Sequence, residues 1–307
     1  MHWPPSSKRG ELMSVRKKDY FVYIFILPAV LFMAIFIGYP TIYNIVLSFQ
    51  NVDLRVLSQG GVEFVGLDNY RHIMSQPAFS IALSNTLTYT VLSIIFQFTI
   101  GFLLALFFAQ KVKGLDFLRG LVMIAWLIPQ TVTALLFRFM MGSREGIINQ
   151  MLLNSGLVDT AVGFLTNQHM ALYSIIAVNI WVGVPFNMLL ISTGLASLPE
   201  EVYEAAEIEG ANGVQRLFFI TIPMLAPVLR IVLMLGFIFT FKVFDLVFVM
   251  TGGGPLFYTE VLSTLAFRHS FVNFNFSHGA AMANILFLVL FIISIFYLFL
   301  SRKDEAA

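Results

Sequence analysis

The sequence predicts an all-α integral membrane protein with six transmembrane helices, and three observations predict it. Of the 307 residues 58% are hydrophobic and 11% charged, too few ionisable groups to wet the surface of a soluble chain of this size. Six apolar runs reach the roughly 20 residues that a helix needs to cross a bilayer core with its backbone groups bonded to one another. Lys and Arg gather preferentially at the ends that alternation places on one side, as retention of basic residues in the cytoplasm requires.

The runs fall at 20–47, 86–109, 120–141, 171–195, 226–250 and 280–300. The first follows KRGELMSVRKKD at 8–19 and far exceeds the roughly 7 to 15 residues of a signal-peptide core, so a retained spanning helix is expected. Met13 is an alternative start. The second run ends in the basic loop KVKGLDFLR at 111–119. The third and fourth contain Pro129 and Pro185, where a packing kink is expected. An acid-rich loop leads into the fifth, and Arg302 and Lys303 follow the sixth.

Placing the N-terminus inside puts Lys8, Arg9, Arg16, Lys17, Lys18, Lys111, Lys113, Arg119, Arg216, Arg230, Arg302 and Lys303 in the cytoplasm. Only Arg55, Arg71, Arg144 and Arg268 lie outside. Both termini are then cytoplasmic. The acidic loop is placed inside mainly by alternation, because its own basic residues are few.

Several chemistries are excluded or unsupported. Cys is absent, which removes disulfides and thiolate chemistry. The five His residues form no HExxH spacing, and neither GxSxG nor a Walker GxxxxGK[ST] occurs, so no catalytic residue, metal ligand, cofactor or intrinsic ATPase is assigned. Thr251-Gly252-Gly253-Gly254-Pro255 lacks the Lys and helix start of a phosphate cradle and reads as a tight external turn.

Between the fourth and fifth runs, Glu200, Glu201, Glu204, Glu207 and Glu209 place five acids in ten residues. Ser197-Leu198-Pro199-Glu200 reads as a capping box that starts a helix. Val202, Ala205, Ala206 and Ile208 favour one side of it and the acids the other. Gly210 permits a left-handed turn, and a second short helix over 214–219 precedes Pro223 and Pro227, which bring the chain back to the membrane. A headgroup-lying loop is one reading, but such helices carry Lys and Arg toward anionic lipid. Carboxylates beside small alanines instead suit docking into another protein's groove.

Glu204-Ala205-Ala206, Gly210 and Ile220-Thr221-Ile222-Pro223 resemble the EAA loop of permease subunits of binding-protein-dependent ABC importers, with Ile222 in place of the usual Leu. Phe64 to Tyr70 (FVGLDNY), Trp181 with Gly183 and Pro185, and FDLVFVMTGGGP ending at Pro255 are similar to the carbohydrate-uptake branch, in its first permease subunit. The resemblance covers nearly the whole chain from about residue 20. It implies the ABC type-1 importer permease fold, with a cytoplasmic tail at 1–19, a first helix and external loop at 20–79, a permease core at 80–301 with the coupling loop at 197–223, and a tail at 302–307. It further implies a multi-pass protein of a bacterial or archaeal cytoplasmic membrane. Its partners would be a second homologous permease, a pair of ATPase subunits, an extracytoplasmic solute-binding protein and a sugar; nucleic acid has no part in it. Glu204, Ala205, Ala206, Glu207, Gly210, Ile220 and Pro223 would couple to the ATPase.

Polar groups at membrane depth face a cavity or a partner. Lys242 and Asp245, three apart on one expected helix, read either as an ion pair or as a polar wall on a substrate path. Arg138 is expected to snorkel to the interface. A sugar needs hydrogen-bonding groups and aromatic faces in a preformed cavity. By similarity to the family, Asn179, Gly183, Thr240 and Phe244 are the expected substrate contacts, with Trp181, Phe186 and Asp245 beside them. Two rivals remain: an ion-coupled secondary transporter of a small polar solute, for which buried carboxylates or repeated broken helices are wanted, and a membrane-embedded enzyme, for which no convergent constellation is visible.

Overall fold

The computed structural model describes residues 23–110 and 112–305, with side chains described to residue 299. The basic run at 8–19, Lys111 and the side chains of Arg302 and Lys303 therefore lie outside the described residues. Five helices are long and apolar enough to cross a membrane alone: Tyr23–Ser48, Pro77–Phe108, Ala171–Ala196, Gly213–Met250 and Phe276–Phe299. A sixth span is built from two pieces, Leu115–Leu127 and Gln130–Met140, bent by 95°. The ends of this pair lie at opposite ends of the bundle. Arg119 shares a recess with Leu195, Glu200 and Thr221, while Arg138 Nη1 donates to the Val249 carbonyl at 3.0 Å. The pair thus crosses the bundle as one broken span.

The break corrects the expectation of a mild kink at Pro129. The first piece caps at Ile128, in an extended conformation (ψ 130°), as the residue before a proline prefers. Pro185, by contrast, sits inside an unbroken span four. Arg138 does not simply snorkel; it bridges span three to the C-terminal end of span five.

Span two starts at Pro77, earlier than 86, with proline in its first turn where the missing N–H costs nothing. Span five departs further from expectation. Its helix over Ile222–Phe241 stops at Lys242, and a separate helix, Asp245–Met250, follows Phe244. The span expected at 226–250 lies within Gly213–Met250 but is interrupted at Lys242, and the spacing argument for a Lys242–Asp245 pair fails with that break. Among the described residues those two side chains form no ion pair; Lys242 Nζ lies over the Phe239 ring, 5.6 Å from its centroid.

Spans two and four form the centre. A Cβ on Gly101 would come within 2.7 Å of Asn187 Cβ, so a larger residue there would push the helices apart. Span four is the most enclosed, whereas the hydrophobic window of span one is 0% buried by the rest of the chain. Among the described residues, the side-chain hydrogen bonds that fasten that helix to the rest of the bundle lie near its C-terminal end. Asn44 Nδ2 donates to Asn284 Oδ1 at 2.8 Å, and the Ser48 and Tyr70 hydroxyls share a hydrogen bond of 2.7 Å. Asn69 Nδ2 donates to the carbonyls of Ser48 and Gln50. The FVGLDNY segment thus clamps spans one and six together at the end of the bundle remote from the acidic loop, with Gly66 at φ 57° making its turn.

Candidate substrate cavity and coupling surface

A cavity of about 380 Å³ opens between spans two, three, four and five, lined among others by Gln97, Trp126, Gln130, Asn179, Gly183, Phe186, Thr240, Lys242, Phe244 and Asp245. Asn179, Gly183 and Phe186 recur at helical spacing and so share one face of span four. Trp181, two residues on from Asn179, points to the other side. It packs edge-on against Phe137 with centroids 5.2 Å apart and is not among the residues that line this cavity. Thr240 is the last cavity residue of span five before the break, and Phe244 and Asp245 follow immediately after it.

The wall has two chemical faces. Trp126 stacks on Phe186 at 5.7 Å, and Phe186 meets Phe239 edge-on at 5.8 Å. The wall also carries amides: Gln97 Nε2 donates to the Asn179 carbonyl at 2.8 Å, and Asn187 Nδ2 donates to the Gly183 carbonyl at 2.9 Å. Asn179 Nδ2 is buried with no partner. An orphaned amide donor costs about 1–3 kcal/mol unless something accepts its hydrogen bond, and here it stands on the wall of a cavity. Apolar rings with a few convergent polar groups are the features of a small-molecule site.

Sequence reasoning missed Gln97, Trp126, Gln130 and Phe239. A signal for Gln97 was present: Thr86, Thr90, Ser93 and Gln97 recur along one stripe of span two and are all buried.

About 27 Å along span four from Asn179, at 1.5 Å per residue, the chain turns at Ser197 into the acidic hairpin. Its first helix is Glu200–Ile208, with Pro199 as the N-cap residue and no side-chain cap. The expected Ser197 capping box is absent because Ser197 Oγ donates backward to the Gly194 carbonyl at 2.7 Å, finishing span four. Ala206 is buried, whereas Ala205 and Ile208 are exposed with Glu204 and Glu207, so the expected apolar side is divided. Tyr203 and Thr221 share a hydroxyl hydrogen bond of 2.9 Å that ties the helix to the base of span five.

Gly210, at φ 83°, makes the turn, and the N–H of Ala211 closes it on the Ala206 carbonyl. The capping box belongs to the second helix: Asn212 accepts from the Gln215 N–H while the Gln215 side chain accepts from the Asn212 N–H. That helix does not stop. It runs through a π-turn at Leu217–Thr221 into Ile222–Phe241, so Ile220 and Pro223 lie within one rod continuous with span five. The π-turn directly precedes Pro223, which has no N–H for the regular ladder. Ile208, Val214, Phe218 and Phe219 are exposed around the acids, and Arg216 Nη1 contacts Glu207 Oε2 at 3.3 Å.

A membrane bundle with a central cavity and a protruding, rigidly connected hairpin defines the class: a subunit of a transport system. Residues 97–303 match the family of binding-protein-dependent transport system inner membrane components. The chain is 32% identical over 285 residues to a probable ABC transporter permease protein of Pyrococcus horikoshii, covering 93% of this chain and 97% of the relative. It is 31% identical to the trehalose/maltose transport system permease protein MalF of Thermococcus litoralis, over 91% of this chain and 93% of that one. Among solved structures, a chain of a bacterial ABC transporter involved in the import of the acidic polysaccharide alginate superposes with a TM-score of 0.81 at 24% identity, covering 95% of this chain and 99% of that chain. This chain belongs to the binding-protein-dependent transport system inner membrane component family. It is a multi-pass inner-membrane permease subunit of an ABC importer, and these relatives lend no support to the ion-coupled alternative.

Proposed function

We propose that the protein is one half of the translocation path of an ATP-driven sugar importer, and that the central cavity holds the sugar. The observation that carries this reading is the unpartnered Asn179 Nδ2 on the wall of a cavity whose other face is aromatic. Hydroxyl groups accept from such an amide, and the C–H face of a sugar ring stacks on Phe186 or Phe244. Asn179, Gly183, Phe186, Thr240, Phe244 and Asp245 are the proposed contacts. The sugar named for the Thermococcus relative supports the class of ligand.

The hairpin at 197–223 is the proposed coupling element. Glu204, Ala205, Ala206, Glu207 and Gly210 would enter a cleft on a separate ATPase, and Ile220 and Pro223 would carry the movement into span five. Because the second hairpin helix and span five form one rod, displacement of the hairpin displaces Thr240 at the cavity. A second, homologous permease would complete the cavity, and two ATPases would drive alternating access. An extracytoplasmic solute-binding protein would deliver sugar near the loop at 251–260. In this reading both termini are cytoplasmic, the tails are 1–19 and 302–307, the first helix and external loop occupy 20–79, and the core is 80–301. The chain itself performs no bond chemistry.

The test is uptake by vesicles carrying the assembled complex. Uptake of labelled disaccharide that requires ATP and the binding protein, and persists with a protonophore present, is the expected result. Uptake abolished by the protonophore in ATP-replete vesicles would refute it.

A further inference from the structure

We propose that Gln97, on span two, is a sugar-reading residue, which with Asn179 forms a two-amide clamp for neighbouring hydroxyls of a neutral sugar. The inference rests on the sugar reading of the cavity. Gln97 is 4% exposed and stands on the cavity wall. Its Nε2 donates to the Asn179 carbonyl. A carbonyl can only accept, so the nitrogen must face it and Oε1 must face away. Among the described residues nothing donates to that oxygen, and Asn179 Nδ2 lacks an acceptor. Adjacent residues therefore carry one acceptor without a donor, Gln97 Oε1, and one buried donor without an acceptor, Asn179 Nδ2.

This pair discriminates by charge. A carboxylate would satisfy Asn179 but meet the Gln97 oxygen dipole; an ammonium would do the reverse. Two neighbouring hydroxyls, one accepting and one donating, satisfy both.

The clamp also explains Gly183. A Cβ there would fall within 2.5 Å of Gln97 Nε2 and Oε1, so any other residue would displace the carboxamide. Gly183 is then a positioning residue: its missing side chain is the berth of Gln97. Gly101 assists by letting span two approach Asn187.

The test uses the full complex in proteoliposomes with labelled maltose, trehalose and cellobiose. Gln97→Leu and the closer isostere Gln97→Met should raise KM about fivefold to tenfold, the scale of one lost neutral hydrogen bond, with maximal rate and subunit assembly retained. Gly183→Ala should do the same by expelling Gln97. Adding Gly183→Ala to Gln97→Ala should raise KM by less than Gly183→Ala raises it in the wild-type background, because the side chain to be expelled is gone. An unchanged KM in Gln97→Met, or additive effects of the Gly183 and Gln97 changes, overturns the clamp while leaving the sugar reading intact. A wild-type complex that takes up none of the three sugars overturns the sugar reading and the clamp together.

Discussion

Arg268 Nη2 meets Glu260 Oε2 at 2.7 Å, and the glutamate is completely buried. The same guanidinium nitrogen donates to the Gly252 carbonyl at 2.9 Å, so one side chain holds the TGGGP turn against the helix that precedes span six. Removing one partner of a buried pair strands the other charge, typically at a cost of about 3–5 kcal/mol. Arg268→Ala should therefore lower the thermal inactivation midpoint sharply. Arg268→Met combined with Glu260→Gln should recover most of the loss, and a single variant with wild-type stability would contradict the structure.

Stability should also fall in acid through the neighbouring His269. Burial, then His72 and Arg268, push its imidazole below the ordinary range. The rings of His72 and His278 lie 4.8 Å apart, and those of His269 and His278 5.7 Å. With a lowered folded value, the unfolded chain binds more protons below about pH 6.5. The contribution is therefore complete above that pH and is lost as the pH falls toward the folded value. The midpoint of the purified complex should be lower at pH 5 than at pH 7.5, and His269→Leu should narrow the difference. An equal gap in the variant would remove His269 from the account.

At the hairpin, Gly210 holds φ 83° with nothing near the position of a Cβ. A side chain there strains the turn and projects from the hairpin proposed to couple to an ATPase. Gly210→Trp should reach the membrane normally yet lose ATPase co-purification, and uptake should fall at least about tenfold, a change near 1.4 kcal/mol in coupling. Glu204→Lys should behave similarly. Unchanged association and uptake in both would refute the coupling role.

In the cavity, Asn179→Ala and Phe244→Ala should each reduce uptake while leaving complex assembly intact. Phe244 also stacks on Phe248 at 5.0 Å, so Phe244→Leu is the control for lost packing. It should assemble as well as Phe244→Ala yet transport no better, since the lost group is the aromatic face. Full uptake by the alanine variants would take these residues out of the site.

The features legible beforehand were those written in local chemistry. Apolar length located the spans, Gly210 marked the hairpin turn, and Asn179, Gly183 and Phe186 were singled out through the family resemblance. What misled was the assumption that an apolar run is one helix. Span three breaks before Pro129 and span five at Lys242, and neither break changes the hydropathy of its run. Ser197 looked like a cap because its competing acceptor, the Gly194 carbonyl, is an ordinary backbone group. Gln97 escaped notice because its significance depends on Gly183, more than eighty residues away, being too small to exclude it. Long-range fit of that kind has no periodic trace.

The 95° elbow of span three has its own consequence for how recognition should be mapped. A helix that ends leaves its last carbonyls without intrahelical donors, and bare backbone at membrane depth is tolerated where it meets protein or a wet interior. Trp126 and Gln130, on either side of the elbow, both line the central cavity. Main-chain oxygens freed at the elbow would accept hydrogen bonds from hydroxyls, and no side-chain replacement deletes them. Selectivity written in the peptide backbone would survive an alanine scan untouched, and only changes that straighten the elbow, such as replacing Pro129, would expose it.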